Sequence, residues 1–206
     1  MKKNATSHTI FFDLGNVLLF FDLEKMASQL ASCMKISLEQ LWEEQLLRPG
    51  ILQNYETGRL SSEEFYRFLQ SKSAHTFSFR DMMMAMSDIF TPNVELWPIV
   101  EALKNQGYRL VLISNTNECH FNFAYWHYPI LKLFDRFILS YEVGACKPNP
   151  LIFEKALKEA KGKTFYTDDI PAFVEAGRTA GLDAELFTNV PMLHKHLKDR
   201  GILNFY

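Results

Sequence analysis

Three short apolar runs in this chain each stop abruptly at polar residues. Thr9-Ile10-Phe11-Phe12 ends in Asp13-Leu14-Gly15-Asn16, Arg109-Leu110-Val111-Leu112-Ile113 ends in Ser114-Asn115-Thr116-Asn117, and Lys163-Thr164-Phe165-Tyr166-Thr167 ends in Asp168-Asp169. Each run is continuous rather than alternating and rich in β-branched or aromatic residues, as expected of strands covered on both faces in a parallel sheet. Phe137-Ile138-Leu139 and Glu185-Leu186-Phe187 are weaker candidates of the same kind. Helical patterns lie between them: Val94–Gln106 stopped by Gly107, Pro150–Ala160 followed by Gly162, and Pro171–Ala180 stopped by Gly181. This alternation predicts an α/β fold, a doubly wound, mainly parallel Rossmann-like sheet.

One stretch breaks the alternation. Between Leu23 and Phe90 helical periodicity recurs without a good strand, at Leu23–Met34, Ser37–Leu47, Ser61–Gln70 and Arg80–Ile89. Ser37 with Gln40 and Ser61 with Glu64 have the spacing of capping boxes. The expected organisation is an α/β core over 1–20 and 91–206, with a helical cap over 21–90 inserted after the first strand. At 206 residues the chain can bury roughly 70% of its unfolded surface and needs no covalent staple.

Composition excludes several classes. The net charge is −2 and no Lys/Arg run occurs, which argues against a nucleic-acid surface. Cys33, Cys119 and Cys146 are odd in number and widely spaced, so they form neither a disulfide framework nor a metal pair, and a reducing compartment is the simpler expectation. Lys2 and Lys3 precede an apolar segment, Ile10 to Phe21, but Asp13, Gly15 and Asn16 interrupt it and no small-x-small cleavage site follows. The segment is also too short to span a bilayer. The expectation is a cytoplasmic protein without a membrane partner, in which the sequon Asn4-Ala5-Thr6 has no role. The sequence sets no oligomeric state.

Open α/β sheets bind ligands at the carboxyl ends of their strands, where the polar residues above all fall. They offer a carboxylate at Asp13, a hydroxyl followed by backbone N–H groups at Ser114 and Asn115, and the carboxylate pair Asp168 and Asp169. Lys147 adds a cation in the loop Gly144-Ala145-Cys146-Lys147-Pro148-Asn149-Pro150. There is no Ser-His-Asp set, Walker loop or G-x-G-x-x-G. Hard oxygen donors with room for water and substrate suit Mg²⁺, and a lysine with a hydroxyl suits a phosphate. A carboxylate nucleophile beside them reads as phosphoryl transfer through an aspartyl-phosphate.

The set resembles the four motifs of the haloacid dehalogenase-like hydrolase superfamily: Asp13-Leu14-Gly15-Asn16-Val17, Ser114-Asn115, Lys147, and Asp168-Asp169. Their order and strand-tip contexts match, and the insert lies where that family carries a helical cap. Asp-Leu-Gly-Asn-Val with Ser-Asn-Thr-Asn resembles the bacterial α-D-glucose-1-phosphate phosphatase branch, and Asp168-Asp169-Ile170 resembles the phosphatase domain of soluble epoxide hydrolases. The resemblance implies Asp13 as nucleophile and Mg²⁺ ligand, the Gly15 carbonyl as second ligand, and Asp169 as third, with Asp168 supporting or sharing it. It implies that Ser114 Oγ and the Asn115 N–H hold phosphate oxygens and that Lys147 neutralises charge. The expected function is Mg²⁺-dependent hydrolysis of a small phosphomonoester, a sugar phosphate foremost.

One departure matters. Phosphatases of that family usually carry an Asp two residues after the nucleophile as general acid and base, and here that residue is Gly15. Such help is typically worth ~10²–10⁴-fold in rate. Water, another side chain, or a good leaving group such as an anomeric oxygen would have to compensate. Three alternatives stay open: dehalogenation, against which Gly15 speaks because dehalogenases of that superfamily typically have an aromatic residue at this position, phosphomutase activity, or phosphosugar binding without turnover. Asn16, Asn117, His120 and His127 are secondary pocket candidates, as are Tyr55, Glu56 and Arg59 from the cap. Cys146 reads as a plain loop cysteine. Met82, Met83, Met84 and Met86 read as packing.

Overall fold

In a computed structural model, residues 8–44 and 46–203 are described. The sequon and the two leading lysines lie outside them. The chain opens with β1 (Thr9–Phe12), buried along its whole length, then β2 (Leu19–Phe21). Five helices follow: α1 (Leu23–Met34), α2 (Leu38–Glu43), α3 (Pro49–Glu56), α4 (Ser62–Lys72) and α5 (Phe79–Ser87). Then come β3 (Phe90–Pro92), α6 (Trp97–Asn105), β4 (Arg109–Ser114), α7 (Glu118–His127), a 3₁₀ turn at Pro129–Leu133, and β5 (Arg136–Leu139). The chain continues through α8 (Ser140–Val143), α9 (Pro150–Lys158), β6 (Thr164–Asp168), α10 (Pro171–Thr179), β7 (Ala184–Leu186) and α11 (Val190–Asp199).

The main sheet has the order β5-β4-β1-β6-β7 and is parallel throughout. Alternation along a strand sends neighbouring side chains to opposite faces. Ile10 and Phe12 pack with Leu110, Leu112 and Phe165 beneath α6, α7 and α11. Phe11 packs with Val111, Ile113 and Tyr166 beneath α9 and α10. Helices on both faces make this the doubly wound α/β sheet expected from the sequence.

The helical insertion has its own core, built from Met26, Leu30, Met34, Phe65, Leu69, Met82 and Met86, with Cys119 of α7 reaching into it. Met84 is exposed. Both expected capping boxes form, and Ser78 with Asp81 makes a third. The sequence pattern ran helix through Ser37–Leu47, whereas α2 ends at Glu43 and Pro49 starts a separate α3. Pro49 is a first-turn residue, where the missing N–H costs nothing. Where no strand was expected, β2 and β3 form an antiparallel ribbon, with Phe21 opposite Phe90. Both expected domain boundaries fall within that ribbon. No helix among the described residues is long and apolar enough to cross a membrane.

Candidate active site

The tips of the three central strands are level because their registers are in step: Phe12 pairs with both Leu112 and Thr167. Asp13 therefore leaves β1 beside Asp168, and its N–H donates to Thr167 O at 3.1 Å. The Lys147 ammonium fills the space between them. It donates to Asp13 Oδ1 at 2.6 Å, to Asp168 Oδ2 at 2.5 Å and to Ile113 O at 3.1 Å, which uses all three of its N–H bonds. These side chains are nearly cut off from water, with Lys147 3%, Asp13 7% and Asp168 0% exposed.

The two adjacent aspartates differ. Asp168 Oδ2 also accepts from Tyr166 Oη, and its Oδ1 accepts from the Ile170 N–H at 3.0 Å. Asp168 is thus tied on both oxygens and holds the lysine. Asp169 is half-buried, with Oδ2 accepting from Asn16 Nδ2 at 3.2 Å. Carboxylate oxygens of Asp13, Asp168 and Asp169 lie within 4.8 Å of one another. Burial pushes the Asp13 carboxyl up to about 7, against the pull of Lys147 and with the help of Asp168. Burial likewise raises Asp169. For Lys147 burial works the other way, but Asp13 and Asp168 outweigh it and hold the ammonium protonated.

The remaining motif residues are fixed by local hydrogen bonds. Asn115 and Lys147 clasp each other's loops: Asn115 Nδ2 donates to Lys147 O at 3.0 Å, and Lys147 N donates to Asn115 Oδ1 at 2.7 Å. Ser114 is buried at the end of β4. Thr116 is locked by Ser140, whose Oγ accepts from Thr116 N and donates to Thr116 O, both at 2.9 Å. Around Gly15 a backbone bridge to Leu19 forms through the carbonyls of Leu14 and Leu19, not that of Gly15. A Cβ at Gly15 would lie 2.9 Å from Phe21 Cε1, so the ring of β2 occupies the space a side chain would need.

A cavity of about 220 Å³ opens beside this cluster, lined by Gly15, Phe21, Glu56, Ser114, Asn115 and His120 among others. A larger, shallower depression of about 590 Å³ between α1 and α5 holds none of the motif residues.

The structure brings together Asp13, Gly15, Ser114, Asn115, Lys147, Asp168 and Asp169. It spends several secondary candidates elsewhere. Asn117 caps α7 through Oδ1, which accepts from His120 N at 3.0 Å. His120 Nε2 donates to Met86 O at 2.9 Å, and Nδ1 accepts from Asn117 Nδ2 at 3.1 Å. His127 is exposed, stacked on Phe123. Tyr55 is buried in a chain from cap to core: its hydroxyl reaches Cys119 Sγ at 2.6 Å and Ser62 Oγ at 2.9 Å, and Ser62 Oγ donates to Glu118 Oε2. Burial pushes the Cys146 thiol up, which suits a plain loop cysteine. Tyr166 was missed by the sequence reading because it sits inside an apolar run; its offset of two from Asp168, on the same strand face, is the signal that could have found it.

A Rossmann-like core with a helical insertion and this four-part strand-tip cluster define a class. Residues 8–181 match the family described as haloacid dehalogenase-like hydrolase, and the chain belongs to that family. It is therefore a hydrolase of that class. Among its relatives, a D-ribitol-5-phosphate phosphatase of Bacteroides thetaiotaomicron is 27% identical over 84% of this chain and 88% of its own length. A predicted HAD-like hydrolase of Porphyromonas gingivalis superposes with a TM-score of 0.76 at 25% identity, covering 94% of this chain and 99% of that one. A HAD family enzyme of Bacteroides thetaiotaomicron, solved with magnesium and inorganic phosphate, superposes with a TM-score of 0.75 at 23% identity, covering 87% and 93%.

Proposed function

We propose that this chain is a Mg²⁺-dependent phosphatase that hydrolyses a small phosphomonoester, a sugar or sugar-alcohol phosphate, through an aspartyl-phosphate on Asp13. The observation that carries this reading is the charge balance of the cluster. Asp13 and Asp168 share one ammonium and Asp169 has its carboxylate oxygen within 4.8 Å of theirs without an ion pair of its own among the described residues, leaving an excess that a divalent cation would neutralise. Asp13 and Asp169 supply hard oxygen donors, the Gly15 carbonyl is free of the local bridge, and Asp168 supports them while holding the lysine. This donor set fits Mg²⁺.

When bound, Mg²⁺ would screen the negative charge of the substrate phosphate. The chain's own residues do the rest. Asp13, fixed by its backbone bond to Thr167, attacks phosphorus in line. Lys147, already on Asp13 Oδ1, neutralises charge on the nucleophile and on the phosphate oxygens. Ser114 Oγ and the Asn115 N–H bind phosphate oxygens, in a loop held to Lys147 by the Asn115 side chain. The insertion covers the site and excludes bulk water.

The sugar-phosphate class is supported by the 27% identical relative that bears the name of a ribitol-5-phosphate phosphatase and by the motif resemblance to glucose-1-phosphate phosphatases. The cavity of about 220 Å³ suits a small substrate. The test is phosphate release from sugar phosphates, polyol phosphates and p-nitrophenyl phosphate, with Mg²⁺ and with chelator. Turnover should require Mg²⁺ and vanish in Asp13→Asn. Turnover indifferent to Asp13 or to chelator would sink the reading.

A further inference from the structure

A phosphomonoester with an alcohol leaving group needs a proton delivered to the departing oxygen, and Gly15 has none to give. The space a side chain there would need is filled by Phe21. Of the other polar side chains lining the cavity, Ser114 is assigned to the phosphate above, Thr116 Oγ1 lies 3.4 Å from Asn117 O, and three more are tied by hydrogen bonds. Asn115 is clasped to Lys147 through both ends of its amide, Asn117 caps α7, and His120 bonds through both ring nitrogens. Glu56 is different. It is the last residue of α3, it lines the same cavity as Gly15 and Ser114, and its carboxyl makes no hydrogen bond or ion pair among the described residues.

Its position is held from the core. Gly58, two residues on, has φ +66°, and a Cβ there would lie 2.1 Å from Tyr141 O, so the backbone after α3 presses directly on α8. Cys146, next to Lys147, has its thiol 3.9 Å from Glu56 O.

We propose that Glu56 is the catalytic proton donor of this site, giving its carboxyl proton to the leaving oxygen of the ester; this rests on the phosphatase reading above. As Asp13 Oδ bonds to phosphorus, the P–O bond to the alcohol breaks. Its electron pair stays on the alcohol oxygen, which takes the Glu56 proton. The Glu56 carboxylate then accepts a proton from water as that water's oxygen attacks the phosphorus. The P–O bond to Asp13 breaks, and inorganic phosphate leaves with both carboxyl groups restored. Burial raises the Glu56 carboxyl, which keeps the acid form available at higher pH. Cys146, whose thiol approaches Glu56 O, is held as the thiol by burial, and His120, which lines the same cavity, is held by burial as the neutral ring.

The experiment compares kcat/KM of wild type, Glu56→Gln and Glu56→Asp on two esters with Mg²⁺ present. Ethyl phosphate has a poor leaving group and no hydroxyl to recognise; p-nitrophenyl phosphate has a good leaving group. Glu56→Gln should lose ~10²–10⁴-fold on ethyl phosphate and at least about tenfold less on p-nitrophenyl phosphate. Glu56→Asp, which keeps a carboxyl, should fall between wild type and Glu56→Gln on ethyl phosphate, and it decides the matter if Glu56→Gln does not fold. Equal losses on both esters, or no loss, would overturn the assignment while leaving the phosphatase reading intact. A wild type inert towards both esters and all sugar phosphates would overturn both.

Discussion

The Phe21 ring stands where a side chain at Gly15 would have to go, with Cε1 2.9 Å from an ideal Cβ. The two positions are therefore coupled. Gly15→Asp alone forces the ring aside and should cost about 1 kcal/mol, the low end for overpacking, because Phe21 is 39% exposed and its ring can turn towards solvent. In a Phe21→Ala background the cost should shrink, giving a coupling of ~0.5–1 kcal/mol for residues in direct contact. Denaturant unfolding of the four proteins measures it. Activity should follow the same cycle: Gly15→Asp with Phe21→Ala should partly rescue Glu56→Gln on ethyl phosphate, because a carboxyl then stands next to the nucleophile again. Additive stabilities would mean that the ring yields freely and that Phe21 does not dictate glycine.

Lys147 holds two buried carboxylates apart. Replacing it with a neutral chain of similar length, Lys147→Met, leaves Asp13 and Asp168 uncompensated. Breaking a buried ion pair from one side costs ~3–5 kcal/mol. Unfolding at pH 7 should show a loss of that order. Added Mg²⁺ should recover part of it, since a divalent cation takes over the neutralising charge. Phosphate release should fall to background with or without that recovery. A variant as stable as wild type in chelator would contradict the buried triad.

Acid should weaken the joint between insertion and core through His120. Met86 O can only accept, so Nε2 carries the hydrogen and Nδ1 accepts from Asn117. Burial lowers the ring to about 4, against its ordinary 6.5. A histidine that is harder to protonate folded than unfolded makes the unfolded chain the greater proton binder between these values. Its contribution is full above about 6.5 and is lost as pH falls through about 4. Protonation would also set Nδ1–H against the Asn117 amide hydrogens. Thermal unfolding from pH 7 to 4 should fall less steeply in His120→Phe than in wild type, even if that variant starts lower at pH 7. Parallel slopes would remove His120 as the cause.

That the polar strand ends would meet in one place was legible in the sequence, because parallel strands place their ends in one crevice and each apolar run ended in a polar group. Ser37, Ser61 and the glycine stops marked helices for equally local reasons. What escaped depended on contacts distant in sequence. The β2–β3 ribbon pairs residues such as Phe21 and Phe90 through strands of three residues each, too short for a pattern. Helix α7 packs against both core and insertion and also exposes Trp126, so its apolar residues form no single stripe. Glu56 carried only a weak signal, since nothing local tells a carboxylate at a helix end that it will line the same cavity as Gly15.

Gly58 offers the sharpest test of how the insertion is set on the core. Its φ of +66° suits glycine, and a Cβ would meet the Tyr141 carbonyl oxygen at 2.1 Å. The obstacle is backbone, which cannot swing away as a side chain can. Gly58→Ala combines overpacking with a left-handed conformation that disfavours a Cβ, together ~2–4 kcal/mol. The strain should be relieved by lifting the end of α3 away from α8, carrying Glu56 with it. Alkyl phosphate turnover should then fall at least about tenfold, as displaced catalytic groups do. Mg²⁺ affinity, measured by calorimetry, should hold, because Asp13 and Asp169 directly follow the core strands β1 and β6, away from Gly58 in sequence and on the other unit of the fold. Loss of metal binding in step with turnover would show that the substitution disturbs the core itself, and full activity would show that the close approach of Gly58 to Tyr141 does not set the position of Glu56.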